Sequence, residues 1–270
     1  MHGRDEYEGV VRSTFAQLDL WRATPPIFTP GSGSQLRGDD DDWPGFSISQ
    51  LAHSGVVVAV EHLQALRVHV DRRSPELVEL FPLAHATLCR TALVGAAQAV
   101  WLLAPDERAE RLRRHHTVIA EMQARHLEYL DGLQKLAGAD RHEGTDVVAE
   151  HVAMLSNQMA VKRAELGESS DRFNTTRMIR EAACAAYRGR HDSERLVEET
   201  VLVWRAGSGA AHGFLWPLFG GAGTEQISSA DARGNAAFVA RGSFEAIAQP
   251  YMAAYILCEA GWKLLRRRGR

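Results

Sequence analysis

From Ile48 to the C-terminus, apolar side chains return every three or four residues with only short interruptions. That period belongs to the α-helix, where residues three and four apart share a face. It predicts helices over residues 48–72, 75–104, 106–137, 145–167, 174–188, 193–218 and 243–266. Punctuation supports the boundaries: Ser74-Pro75 is a start signal, Pro105 a break, and Asn174 and Asp192 or Ser193 are caps. Pro250 falls early in the last helix, where it either resets the start or kinks it. Only residues 225–242, "EQISSADARGNAAFVARG", break the rhythm, and they read as a small hairpin or irregular arm. The expected fold is all-α: an elongated multi-helix bundle with a hairpin-like arm before the last helix.

The N-terminal part has a different texture. Tyr7, Val10, Val11, Phe15, Leu18 and Trp21 place an amphipathic helix within residues 1–22. Residues 23–47 are rich in Pro, Gly, Ser and Asp and read as a linker or loop, with Asp39 to Asp42 as a solvated acidic turn. The bundle proper would then occupy residues 48–270. With 270 residues, 45% of them hydrophobic, the chain can bury a substantial core. A net charge of −3 argues against coating nucleic acid by bulk charge but leaves a local basic face open. Cys89, Cys184 and Cys258 fit no disulfide or zinc pattern, which points to a reducing cytoplasm. The charged start resembles no signal peptide, and the apolar run of residues 91–104 is too short to span a bilayer. A cytoplasmic protein without membrane contact is expected.

One stretch raises a chemical question: "WRAGSGAAHGFLW", residues 204–216. On a helix, Val197, Val201, Trp204, Ser208, Ala211 and Leu215 would form a buried stripe. Arg205 and His212 are two turns apart, offset by only ~20° and ~10 Å, with Ser208 between them. Such a face suits phosphodiester chemistry. Arginine holds a phosphate with paired N–H donors, and histidine moves a proton near neutral pH. The glycines, serine and alanines are equally what close helix–helix packing requires, since two helix-interior glycines cost ~1 kcal/mol each relative to alanine. Both readings stand at this level.

Arg205, six residues, then His212 resembles the arginine–histidine signature of the HEPN superfamily of helical nucleotide-binding domains. The chain is also similar to uncharacterised bacterial helical proteins with an arginine–alanine-rich helix, here "CRTALVGAAQAVWLL", and a Ser-x-x-x-His-Gly segment, here Ser208 to Gly213. The resemblance implies an RNA-directed protein, and in active members a metal-independent endoribonuclease of a toxin or phage-defence system. Such proteins form homodimers in which two arginine–histidine pairs face one cleft, and an antitoxin or defence partner is common. Carried over, His212 is the acid/base, Arg205 holds phosphate and Ser208 completes the catalytic face. The alternative is a non-catalytic helical interaction module.

Further residues are candidates for substrate binding. Arg111, Arg114 and His115 lie at i, i+3, i+4 in "RAERLRRHHTVIAEMQARH" and offer a basic face for RNA phosphates, or a solvated face balanced by Glu107, Glu110 and Glu121. Arg90, alone in an apolar helix, needs an anion, a carboxylate or carbonyls, and lines either the same cleft or a structural ion pair. The histidines of this region lack the i, i+4 spacing of helical metal sites, so neither metal nor cofactor is expected. The terminal "RRRGR" reads as a free basic tail. Trp101, Trp204, Trp216 and Trp262 read as core rather than as a ligand box. No Walker loop, dinucleotide fingerprint, nucleophile elbow or zincin motif is present.

Overall fold

The structure is a computed structural model that describes residues 2–23, 27–71, 80–137, 143–168 and 173–270. It is all-α. Its helices are α1 (His2–Arg12), α2 (Phe15–Arg22), α3 (Gln35–Asp40), α4 (Ile48–Val70), α5 (Pro82–Leu103), α6 (Arg108–Ala137), α7 (Glu143–Glu165), α8 (Thr175–Ala186), α9 (Ser193–Ala211) and α10 (Phe244–Arg268). Strands β1 (Thr224–Gln226) and β2 (Phe238–Ala240) form the expected small antiparallel arm, paired Thr224 to Ala240.

The core sits where α4, α5 and α10 meet, and small residues set how closely they approach. A Cβ on Gly55 would lie 2.5 Å from the Gly95 carbonyl oxygen, and one on Gly95 would lie 2.6 Å from that of Gly55. The backbones of α4 and α5 therefore touch. Gly261 on α10 makes room for the Val56 side chain, whose Cγ1 would lie 2.8 Å from a Cβ there. Leu63, Leu66, Leu93, Leu102, Tyr251 and Leu257 fill the remaining space and are fully buried. α5 is the central element, flanked by α4, α8, α9 and α10. At 22 residues it is longer than its most apolar run and passes, by length and composition, as a membrane-crossing helix. Here 56% of that apolar window is buried within the protein.

Several boundaries differ from the sequence expectation. The N-terminal helix is two helices. The chain turns at Ser13 and Thr14, where Thr14 Oγ1 meets the Val11 carbonyl and the Tyr251 hydroxyl. Val11, Phe15, Leu18 and Trp21 are buried against α4 and α10, so α1 and α2 belong to the bundle. The stretch read as a linker carries α3, capped by Ser34 and with Leu36 buried. Ser47 and Gln50 form a capping box that starts α4. The Ser74-Pro75 signal lies outside the described residues. α5 as described begins at Pro82, where the His85 Nδ1 accepts the Phe81 N–H. Asn174 caps α8 as expected, through the Arg177 N–H. α10 runs through Pro250 from a Ser243 cap.

The largest correction concerns α9, which ends at Ala211 rather than near residue 218. The Phe214 N–H reaches the Gly209 carbonyl and the Gly213 N–H reaches the Ala210 carbonyl, with Gly213 at φ +75°. That is a Schellman stop, which needs a residue free to adopt left-handed φ. The predicted buried stripe therefore holds at Val197 and Val201 but fails beyond Ser208: Leu215 is 57% exposed.

The basic tail is not free either. Arg268 is buried and donates to the carbonyls of Leu103 and Pro105, to Asp106 and to Gln35. It thereby satisfies carbonyls left unpaired at the end of α5. α6 and α7 run antiparallel: His116 meets Glu168 at one end and Gln134 meets Asp146 at the other.

Candidate functional site

The stretch at residues 204–216 is built by two close approaches. A Cβ on Gly207 would lie 2.7 Å from the Arg90 Cβ and 3.0 Å from the Ala86 carbonyl, so α9 lies directly on α5. A Cβ on Gly209 would lie 2.5 Å from the Trp216 ring, which folds back over the helix end from the 3₁₀ turn Trp216–Leu218. Both glycines thus do the packing work that one reading of the sequence assigned to them.

The first approach also delivers a polar contact. Arg90 Nε donates to Ser208 Oγ at 2.9 Å, joining the two segments that the resemblance singled out. The Ser208 carbonyl accepts the His212 backbone N–H at 3.1 Å, the last-turn bond of α9, so His212 follows Ser208 by one helical turn. Arg90 is half-buried and has no carboxylate partner among the described residues. Every other buried or half-buried arginine among those residues has a carboxylate within 4.0 Å: Arg12, Arg67, Arg111, Arg113, Arg114, Arg163, Arg180 and Arg268. A guanidinium sheltered from water without a counter-charge favours an incoming anion.

Arg205 and His212 are exposed. Arg205 makes no hydrogen bond or ion pair among the described residues. Glu198, two turns before it, is engaged by Arg180 of α8. His212 is the C-cap of α9, with its ring 6.1 Å from that of Phe214. The surface is open rather than cleft-like. A nearby cleft of about 280 Å³ lies between the start of α5, Ala206 and Gly207 of α9, the arm and the start of α10. Arg205, Ser208 and His212 do not line it. Below His212, Phe214, Leu215, Trp216 and Phe219 are each more than half exposed. From Thr200 to Thr224 the chain carries no carboxylate, and its only cation is Arg205.

The basic face expected on α6 points inward, which corrects the reading of Arg111, Arg114 and His115 as substrate-binding residues. Arg111 is buried and meets both oxygens of Asp39. Arg114 stacks on Trp101 at 4.9 Å and pairs with Glu110 and Glu181. His115 Nε2 meets the Phe46 carbonyl, and burial pushes its pKa down to about 4. The acidic run is the counterpart of this face, not a solvated turn. Asp39 is fully buried. Asp40 accepts from the N–H and hydroxyl of Ser49, and Asp42 meets His116 and Lys162. Only Asp41 of the four is exposed, opposite Arg37. No group of three or more potential metal ligands converges among the described residues. Trp101 and Trp262 are core, Trp204 is half-buried and Trp216 is on the surface.

The Arg90–Ser208 contact was only half legible in the sequence. The lone arginine in an apolar helix was a signal, but its partner lies 118 residues away. Comparison with known proteins adds no relative: no family model, no curated protein and no solved structure matches the chain.

Proposed function

We propose that the chain is a HEPN-like, RNA-directed protein whose anion site is built on Arg90, Ser208 and His212, with Arg205 beside it, and that it cleaves RNA without metal. The observation that carries this reading is Arg90: a half-buried guanidinium with no carboxylate partner among the described residues, bonded to Ser208 one helical turn before His212. In the proposed reaction a ribose 2′-hydroxyl attacks its neighbouring phosphorus, and the His212 imidazole takes the hydroxyl proton. The bond to the 5′-oxygen breaks, that oxygen takes up a proton from water as it leaves, and His212 returns its proton to solvent. The products are a 2′,3′-cyclic phosphate and a 5′-hydroxyl end. Arg90 and Arg205 neutralise the phosphate oxygens as charge builds on them.

The test is cleavage of single-stranded RNA in excess chelator. Wild type is expected to cut. His212→Ala is expected to lose activity by 10²-fold or more, on the order of general acid–base contributions, while keeping its melting temperature, because the side chain is exposed. Equal cutting by His212→Ala, or none by wild type, overturns the proposal.

A second reading is a non-catalytic helical module that engages a partner such as an antitoxin. Two observations favour it. Arg205 and His212 face open surface rather than a cleft, and the exposed Phe214, Leu215, Trp216 and Phe219 beside them form an apolar patch. In active members of the superfamily it resembles, the residue after the arginine is commonly polar, and here it is Ala206. This reading expects no cleavage, and RNA-independent binding that Phe214→Glu abolishes.

A further inference from the structure

The cleft of about 280 Å³ between α5, α9, the arm and α10 adjoins the anion site without containing any of its side chains. Gly207 is common to both. A Cβ there would meet the Arg90 Cβ at 2.7 Å and the carbonyl of Ala86, a cleft residue, at 3.0 Å. Ala86 precedes Arg90 by one turn of α5, ~5.4 Å, and the cleft residue Ala206 directly follows Arg205. Ala86, Ala206, Gly207, Ala222, Pro217 and Pro250 give the cleft small, apolar walls. Its polar rim lies at the start of α10. Arg241, Glu245 and Gln249 follow one another at four-residue steps, line the cleft and are exposed. None of the three side chains has a hydrogen-bond or ion-pair partner among the described residues. An apolar slot with a cation, a carboxylate and an amide at its rim suits a flat heterocycle, held by its faces and read along its edge.

We propose that this cleft is a base pocket for one unpaired guanine, the base of the nucleotide whose 3′-phosphate lies at Arg90. The proposal rests on the reading of Arg90 as a phosphate site. Position, size and chemistry select the ligand. The cleft begins one helical turn from Arg90, and a base lies one ribose away from its phosphate. Its volume is at the small end of the ~300–1,000 Å³ of small-molecule pockets, which suits a single base rather than a duplex. Glu245 only accepts hydrogen bonds, and guanine presents two adjacent donors, N1–H and the N2 amino group, on its Watson–Crick edge. Adenine and cytosine place an acceptor nitrogen beside their amino group, and uracil holds its one N–H between two carbonyls, so a carboxylate opposes each of them. Arg241 supplies donors for the guanine O6 and N7.

The experiment is calorimetric titration with the 3′-monophosphates of guanosine, adenosine, cytidine and uridine, and with inorganic phosphate, which needs no cleavage. Wild type is expected to bind the guanosine nucleotide about tenfold or more tighter than the other three, the size of one good bidentate contact. Glu245→Gln is expected to remove that preference. Ala222→Trp, which fills the cleft, is expected to bring guanosine 3′-monophosphate down to the affinity of inorganic phosphate. Arg90→Ala is expected to weaken all four nucleotides alike. Melting temperatures check that each variant is folded. Equal binding of the four nucleotides and of inorganic phosphate by wild type overturns the base pocket and leaves the anion site standing. Binding of none of them overturns both. A guanosine preference that survives in Glu245→Gln and Ala222→Trp also overturns the pocket. Tight guanosine binding without RNA cleavage supports the pocket and overturns the nuclease reading alone.

Discussion

Gly207 shows how much one missing side-chain atom decides. Without a Cβ it lets α9 settle on α5 until the Arg90 guanidinium reaches Ser208. Gly207→Ala would place that atom 2.7 Å from the Arg90 Cβ, on a stem that cannot swing away as a side-chain tip can. The expected cost is about 1–3 kcal/mol, typical of forcing a methyl into a packed contact. A thermal melt checks it, and the same variant should lose the Arg90–Ser208 contact and with it anion affinity. Arg90 itself was conspicuous in the sequence because charge in an apolar helix demands an answer. The nature of the answer, a serine rather than a carboxylate, was not legible, because nothing local records which residue 118 positions away will face it.

Between elements, polar residues do the fastening. The 39–42 run ties α3 and the start of α4 to α6 and α7 through Asp39–Arg111, Asp40–Ser49, Asp42–His116 and Asp42–Lys162. The clearest prediction at this scale is Asp39→Ala. It leaves the buried Arg111 without its carboxylate, and breaking one side of a buried pair costs about 3–5 kcal/mol. Chemical denaturation should show that loss. A stability change within 0.5 kcal/mol, the usual size for surface substitutions, would mean the acidic run is the solvated turn its sequence suggests. The misreading has a physical source: helical spacing shows that Arg111, Arg114 and His115 share a face but not whether that face meets water or a second segment. The acidic run, 72 residues earlier in the chain, supplied the missing half.

Across the whole molecule, buried histidines make stability depend on pH. His85, beside His69 at the α4–α5 contact, has its pKa lowered to about 4, first by burial and then by His69. His115 is lowered to about 4 by burial too, with His116 and Lys162 adding to the effect, while the Phe46 carbonyl and Asp42 oppose it. In the unfolded chain both take up protons near the ordinary 6.5. Their contribution is therefore fully present above about pH 6.5 and is lost as pH falls toward 4, because protons then favour the unfolded state. Melting temperatures measured from pH 7 to pH 4 should fall, and His85→Phe or His115→Phe should flatten the fall if the variants fold. A flat wild-type profile would contradict the assignment.

The sequence by itself determined the class of the fold, the order of the helices, the hairpin arm and most helix starts. These follow from local periodicity and from caps a few residues long, such as Asn174 at α8. Only the tertiary structure decided which faces are inside. It turned the α6 cations onto the acidic run, drew Arg268 out of the tail onto the end of α5, and stopped α9 at Ala211. It also brought Arg90 to Ser208. In each case the deciding partner is distant along the chain or is a turn whose form depends on what packs against it. Local spacing carries the angle of a side chain around its helix but not the identity of what it meets.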